Sequence, residues 1–561
     1  MAVLRAAPRA RNTRRAQRTG SSALVRLWVG SHRDPLMSSA PLMTTACRDS
    51  SLSETRPSSH SPRRDRFGLA SGLCVCLVGL ILIEILPREL WESPVAFGVL
   101  LIVLLTANAR LLPPGALCWP NIFIVLTFLT NISYFFAVEL HLIAPISYMP
   151  SLDDPGTSTA LQIGALAILA TEVGVLVALL VLRPASWNRN RSASGLQSPW
   201  SGSRLVLWVG IVVTVLAAGL YLYLVVQLGG IKLLSGHEYT QYMNELFSDR
   251  PAFGTLGVSY LPTGLLLIYA GIDSRGPLAR RHRLLVIGLL GLYALVTLSI
   301  GDRNDALLAA LGFLYIHNGF VSKFRLRGLA LWCVVGALPL LLLLSYIGEV
   351  RSGPPVGSPI SATTGYEAIS SAYWPYIGFI DYSSEYGYSL GSAPYTVAIA
   401  HVLPTILSSS RGISSSGFTR STTFITQWIS PADASVNIGL GGSAIGEAYA
   451  SFGTVSVALQ FAILGLLLGG TEIMAVQSRR LSFIVFLILV FIPMLFYLRD
   501  DLFGLLRPLV WSTLLAMVVG VAHSVSVRHG DRGVAIPAIK TSTRWHPPAV
   551  ERGRFGSAGL R

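Results

Sequence analysis

Apolar residues gather along this chain in runs of roughly 17–24, the length a helix needs to cross a bilayer. The runs fall at 67–86, 92–109, 121–138, 160–182, 205–228, 254–272, 283–300, 302–320, 329–347, 453–471, 481–497 and 505–525. The pattern predicts about twelve transmembrane helices, so the expected fold class is an all-α polytopic membrane protein. A membrane β-barrel would show short alternating strands instead. The eighth run opens on polar residues, Asp302 to Asp305, and is the weakest match to a span.

The polar connections carry an alternating charge. Arg110, the group Arg183, Arg189, Arg191 and Arg204, the group Arg275, Arg280, Arg281 and Arg283, the group Lys323, Arg325 and Arg327, and the pair Arg479 and Arg480 all fall on one side. The segment 139–159, on the other side, has Glu139, Asp153 and Asp154 and no Lys or Arg. Basic loops stay in the cytoplasm, so both termini are predicted cytoplasmic. The expected division is a basic disordered tail at 1–66, nine helices within 67–347, a large external loop at 348–452, three helices within 453–525 and a second basic tail at 526–561. An organellar transit peptide has a composition like that of the first tail. A loop as long as 348–452 is functional or disordered. Its aromatics, among them Tyr366, Tyr373, Trp374, Tyr376, Tyr382, Tyr386, Tyr388 and Tyr395, argue for order, either as an interfacial belt or as surfaces that stack on sugars. The apolar stretch 392–407 is expected to form a short helix on or in the membrane surface.

Composition narrows the classes further. Hydrophobic residues are 52% and charged residues 13%, too little charge to cover a soluble surface. The formal net charge is +15, but it sits in tails and alternate loops, which is a topology signal and not a nucleic-acid face. The cysteines are Cys47, Cys74, Cys76, Cys118 and Cys333, none in the long loop. Neither a disulfide framework nor a zinc site follows, and no metal or other cofactor is expected.

The chemistry is expected at the outer rim. The stretch from Gly439 to Gly453 closes the long loop and leads into an apolar helix, and its glycines let the backbone approach a neighbour closely. Glu447 sits there where water gives way to lipid, and a charge at that depth is costly. It is a candidate general base, with a helix-start carboxylate favoured by the dipole as the plainer explanation. Arginines are exceptional on a side that topology keeps free of positive charge: Arg303, Arg351, Arg411, Arg420, Arg499 and Arg507. A guanidinium fork suits phosphate oxygens. An ordinary ion pair with Asp302, Glu349, Asp500 or Asp501 competes for any one of them. Asp302 is placed to cap the helix that Arg303 opens, and a helix start beside an arginine also receives anions. His401 is a second possible base, though a lone histidine in an apolar segment is more often structural. Glu84 and Glu172 lie within spans as proton relays or interhelical hydrogen-bond partners, and Gly465 and Gly469 as a site of close helix packing. Gly439, Gly441 and Ala444 match a dinucleotide fingerprint in form, but the strand it requires is missing.

Four of these stretches resemble the motifs of bacterial O-antigen polymerases of the Wzy type. They are Ser299 to Leu308 with its Gly301 and Arg303, the segment through Gly348 and Arg351, the segment His401 to Pro404, and Gly441 to Gly453 with its Glu447, Tyr449, Phe452 and Gly453. The resemblance covers roughly 230–475. It implies a GT-C-like, inverting, metal-independent glycosyltransferase that joins oligosaccharide repeat units carried on undecaprenyl pyrophosphate, at the outer face of the cytoplasmic membrane. Glu447, Arg303 and Arg351 are then the expected catalytic residues, and Asp302, Arg411, Arg420, His401 and Arg499 the expected substrate contacts. The partners it implies are the lipid-linked oligosaccharide and membrane lipid, with a chain-length regulator and a flippase as possible protein partners. An O-antigen ligase is the nearest rival, sharing the donor, and a transporter is the rival from another class. A transporter concentrates polar residues at mid-membrane, whereas here they gather at the outer edge.

Overall fold

The computed structural model describes residues 62–112, 115–146, 155–182, 203–227, 251–273, 278–299, 303–322, 366, 369–400, 402, 420–435, 440–477 and 481–533. Among the described residues the chain is helical throughout, with no strand. The helices are α1 (Pro62–Ile85), α2 (Glu89–Glu92), α3 (Pro94–Leu111), α4 (Trp119–Asn131), α5 (Ser133–Glu139), α6 (Pro155–Leu182), α7 (Arg204–Gln227), α8 (Pro251–Gly271), α9 (Ala279–Ser299) and α10 (Arg303–Ile316). They continue with α11 (Tyr373–Tyr386), α12 (Ala393–Ala400), α13 (Ser421–Ile429), α14 (Pro431–Ser435), α15 (Ala444–Gln477), α16 (Leu481–Phe496) and α17 (Leu502–Gly533).

Eight of these are long and apolar enough to cross a membrane, or nine if the bent pair α4–α5 is one span. The expected twelve are therefore not reached among the described residues. The run at 329–347 lies outside them. The run at 254–272 contains a shorter apolar helix, Tyr260–Gly271, and the run at 302–320 holds only the short α10 followed by a π turn, His317–Val321. The run at 121–138 is not one straight helix: α4 and α5 meet at 57°. Thr127, Thr130 and Ser133 each donate a hydroxyl to the carbonyl four residues back, a bond that loosens and bends a helix.

At the centre, α6 packs along α15, and α6 and α16 are buried over most of their length. Glycine sets how closely the first two approach. A Cβ on Gly465 would overlap the Thr171 carbonyl oxygen, and one on Gly174 would overlap that of Ala462. The expected close packing at Gly465 thus reaches backbone to backbone, and Gly469 faces Val175 in the same crossing. Around this core, α1, α3 and α7 present large exposed apolar side chains such as Ile81, Val99 and Trp208. Hydrocarbon is the solvent that suits such faces. Glu172 is buried and accepts from Asn108 Nδ2 at 2.7 Å, an interhelical hydrogen bond, whereas Glu84 is exposed. Glu472, also buried, accepts from the Trp119 backbone N–H at 3.0 Å and so caps the start of α4. Cys74 is exposed and Cys76 buried, as their spacing on a helix requires.

Two boundaries differ from the sequence pattern. α15 and α17 begin before their apolar runs, at Ala444 and Leu502, and α15 bends at Phe452–Gly453, where Gly453 has φ +70°. A Cβ there would lie 2.8 Å from the Tyr388 ring, so the bend needs glycine for both conformation and space. The stretch 348–452 contributes α11 to α14, and α11 lies against α6 and α15 while α12 lies against α17.

Candidate functional site

Five segments meet at one end of the bundle: the end of α4, the start of α13, the start of α15, the turn from α16 to α17, and the start of α10. Each brings a polar group to the cluster. Gly441, with φ +84°, turns the chain so that Gly442 N–H donates to the Arg499 carbonyl at 3.0 Å. Gly442 then lies so close to the Asp500 backbone that a Cβ would stand 2.8 Å from its carbonyl oxygen. This is the close approach the glycine-rich stretch predicts. Ser443 donates to Asn131 Oδ1 at 2.7 Å and accepts from Gly446 N–H at 3.2 Å, capping α15 and tying it to α4.

Glu447 follows in the first turn of α15, 3% exposed. One oxygen accepts from Ser421 Oγ at 2.5 Å and the other from the Leu502 backbone N–H at 2.8 Å. The carboxylate thereby joins the starts of α13, α15 and α17.

Arg420 stands beside it in extended conformation at the head of α13. Its Nε donates to Asp501 Oδ2 at 3.0 Å, and its Nη2 to Asp500 Oδ1 at 3.0 Å and Asp501 Oδ1 at 2.9 Å. The guanidinium also lies over the Phe503 ring, 4.5 Å from its centroid. Asp501 accepts further from the Thr422 hydroxyl at 3.2 Å and is 2% exposed, against 15% for Asp500 and 35% for Arg420. Burial works against the Arg420 charge, but Asp500 and Asp501 outweigh it and hold the group above its ordinary value. Burial and then the Asp501 charge push the Asp500 carboxyl up to about 7, with Arg420 opposing.

Arg499 ends the α16 turn and donates to Asn304 Oδ1. That bond brings the start of α10 to the same place, with Arg303 as its first residue and Asp305 buried in its first turn. Of the residues expected from sequence, Glu447, Arg420 and Arg499 are therefore together, and the Arg303 backbone adjoins them. Asp302, Arg351, His401 and Arg411 lie outside the described residues. Arg507 is one turn or more along α17, beside Tyr260 rather than among the acids. Sequence reasoning passed over Ser421, whose importance comes only from what the fold places opposite it. It also passed over Arg88, an arginine on the sparsely charged side, which donates to Thr159 Oγ1 at 2.8 Å. Among the described residues no group of three or more His, Cys, Asp or Glu side chains is arranged to hold a metal ion.

What this arrangement offers chemically is two guanidinium groups and three carboxylates at the mouth of a membrane bundle. It can hold an anion and accept a proton within the same few residues. No curated protein and no solved structure matches the chain. The family model of the O-antigen polysaccharide polymerase Wzy does, over residues 93–528, which takes in every element of the site. The chain belongs to that family, and it is a membrane polysaccharide polymerase acting on lipid-linked oligosaccharide repeat units.

Proposed function

We propose that this cluster joins repeat units carried on undecaprenyl pyrophosphate at the outer face of the cytoplasmic membrane. A hydroxyl of the acceptor glycan attacks the anomeric carbon of the donor. The bond from that carbon to the pyrophosphate oxygen breaks, the configuration inverts, and the lipid pyrophosphate departs with its charge. The acceptor's proton passes to a carboxylate. Pyrophosphate is a good leaving group already, so the protein's task is to place it and to meet its charge. Arg499 and Arg303, at adjoining positions, are suited to that grip, with Arg351 and Arg411 as further expected contacts. Arg420 instead orients Asp500 and Asp501. Asp500 is the more reachable carboxylate and its acidity suits a proton acceptor near neutral pH. Glu447 then positions Ser421 and the head of α17, and it remains the alternative acceptor. A chain-length regulator and a flippase are the expected protein partners.

The observation that carries this reading is the meeting of Arg420, Arg499, Asp500, Asp501 and Glu447 within a Wzy match. In cells lacking the native gene, Arg303→Ala and Arg499→Ala should leave surface glycan one repeat unit long while wild type restores polymer. Arg499→Lys should rescue poorly, because an ammonium lacks the fork. Unchanged chain lengths in both alanine variants overturn the pyrophosphate assignment. Complete polymer stranded on the carrier lipid identifies a ligase instead.

A further inference from the structure

The small core under the site is Phe379, Leu390, Ile425 and Ala450. Packed against it, and half-buried, are Tyr382, Phe424 and Trp428. Tyr382 of α11 meets Tyr386 one turn on, the centroids 5.1 Å apart and the planes tilted by 30°. Trp428 of α13 stands edge-on to both, 5.3 Å from each. Tyr386 is 52% exposed and lies outside that core, touching Tyr382 and Trp428 while leaving much of its ring open. An interfacial belt would explain rings at that depth, but two carboxylates accompany them: Asp381 and Glu385 each precede one of the tyrosines, and Glu385 is exposed. Carboxylates are poorly placed against anionic headgroups. Ring faces edged with carboxylates and hydroxyls match a pyranose, which has an apolar C–H face and a rim of hydroxyl donors.

Position adds to this. Phe424 and Trp428 follow Arg420 at four-residue steps, so one side of α13 runs from the guanidinium to the indole. Eight residues at helical rise cover roughly 12 Å. That is longer than one sugar ring, so a glycan whose reacting end lies at Arg420 brings its next sugars over the tyrosines.

We infer that Tyr382, Tyr386 and Trp428 form a glycan-binding platform that stacks on pyranose rings of the repeat unit one or two sugars from the reacting bond. The inference rests on the polymerase reading of the neighbouring cluster. It assigns those rings to holding the substrate in register, so that successive additions use the same linkage.

The test uses the full chain in lipid nanodiscs and, as probe, oligosaccharide fragments released from the host's own surface polysaccharide. Binding is followed by saturation-transfer NMR and by the intrinsic fluorescence lost in Trp428→Phe. Wild type should bind saturably. Tyr386→Ala, at an exposed position that leaves folding intact, should weaken binding about tenfold, while Tyr386→Phe stays near wild type. In cells, Tyr386→Ala should shorten chains and Tyr386→Phe should not. Wild-type binding that Tyr386→Ala and Trp428→Phe leave unaltered overturns the platform and leaves the polymerase reading standing. No binding by wild type, together with unchanged polymer in the arginine variants, overturns both.

Discussion

Arg420 holds carboxylates on two adjacent residues at once, through Nε and Nη2, while Nη1 takes part in none of those bonds. Removing it would take from Asp501, buried beside Asp500 and Glu447, the guanidinium it is bonded to, which costs about 2 kcal/mol after allowing for a guanidinium partly in water. The sequence marked Arg420 and Arg499 because arginine is scarce on that side, and it marked Glu447 because a carboxylate opens an apolar helix. It could not show which acid sits nearest which arginine, since Arg420 and Asp501 are brought together only by the fold. Asp500 gives the most direct readout. Its carboxyl is raised to about 7 from about 3.9 in an unfolded chain. A raised carboxyl favours the protonated folded form, so its contribution to stability is complete below about pH 4 and lost as the pH rises through about 7. Asp500→Asn cannot ionise, so its thermal midpoint in detergent should fall less than that of wild type across this window. If Asp500 accepts the acceptor's proton, wild-type chain growth should rise through pH ~7 along an acid limb, and Asp500→Asn should stop it. Equal slopes of midpoint against pH in the two proteins would remove the buried carboxyl from the account.

The helices themselves were largely legible, because a run of apolar residues long enough to span admits few other structures in lipid. Their breaks were not. Hydropathy averages over Thr127 to Ser133 and sees one span, while three hydroxyls bonded back onto the helix and the turn at Ile132 make two. The bend at Gly453 was hidden for the same reason, although the glycine itself was in view. Close packing left a clearer trace: the spacing of Gly465 and Gly469 gave away the α6–α15 crossing without naming the partner. Gly465→Val should therefore overpack that crossing at the Thr171 carbonyl, where backbone cannot yield as a side chain would, and cost at least about 1–3 kcal/mol. Gly68→Val, on α1 with open space where its Cβ would go, should be close to neutral. Yields from membranes and thermal midpoints in detergent measure both. A Gly465→Val protein as stable as the Gly68→Val control would mean the two helices do not meet in this way.

At the scale of the whole molecule, the site's chemistry depends on which side of the membrane it faces. The charge alternation puts Arg303 and the 348–452 stretch outside and Arg283 and Lys323 inside, but Arg88 breaks the pattern, so charge alone leaves the orientation open to test. α10 and its π turn offer a ruler. The α-helical part, Arg303–Ile316, rises roughly 20 Å from the cluster, and the π turn carries the chain further to Ser322. Ser322 and Ser384 are both exposed, and Ser384 lies on α11 near the tyrosine rings. In a chain whose five cysteines are replaced, Ser384→Cys should react with a membrane-impermeant maleimide in intact spheroplasts. Ser322→Cys should react only after the membrane is opened. The reverse labelling would put the acidic pair and its arginines in the cytoplasm, where nucleotide sugars are available. A lipid pyrophosphate donor would then no longer be required, and the reading of Arg499 and Arg303 as its grip would fall with the orientation.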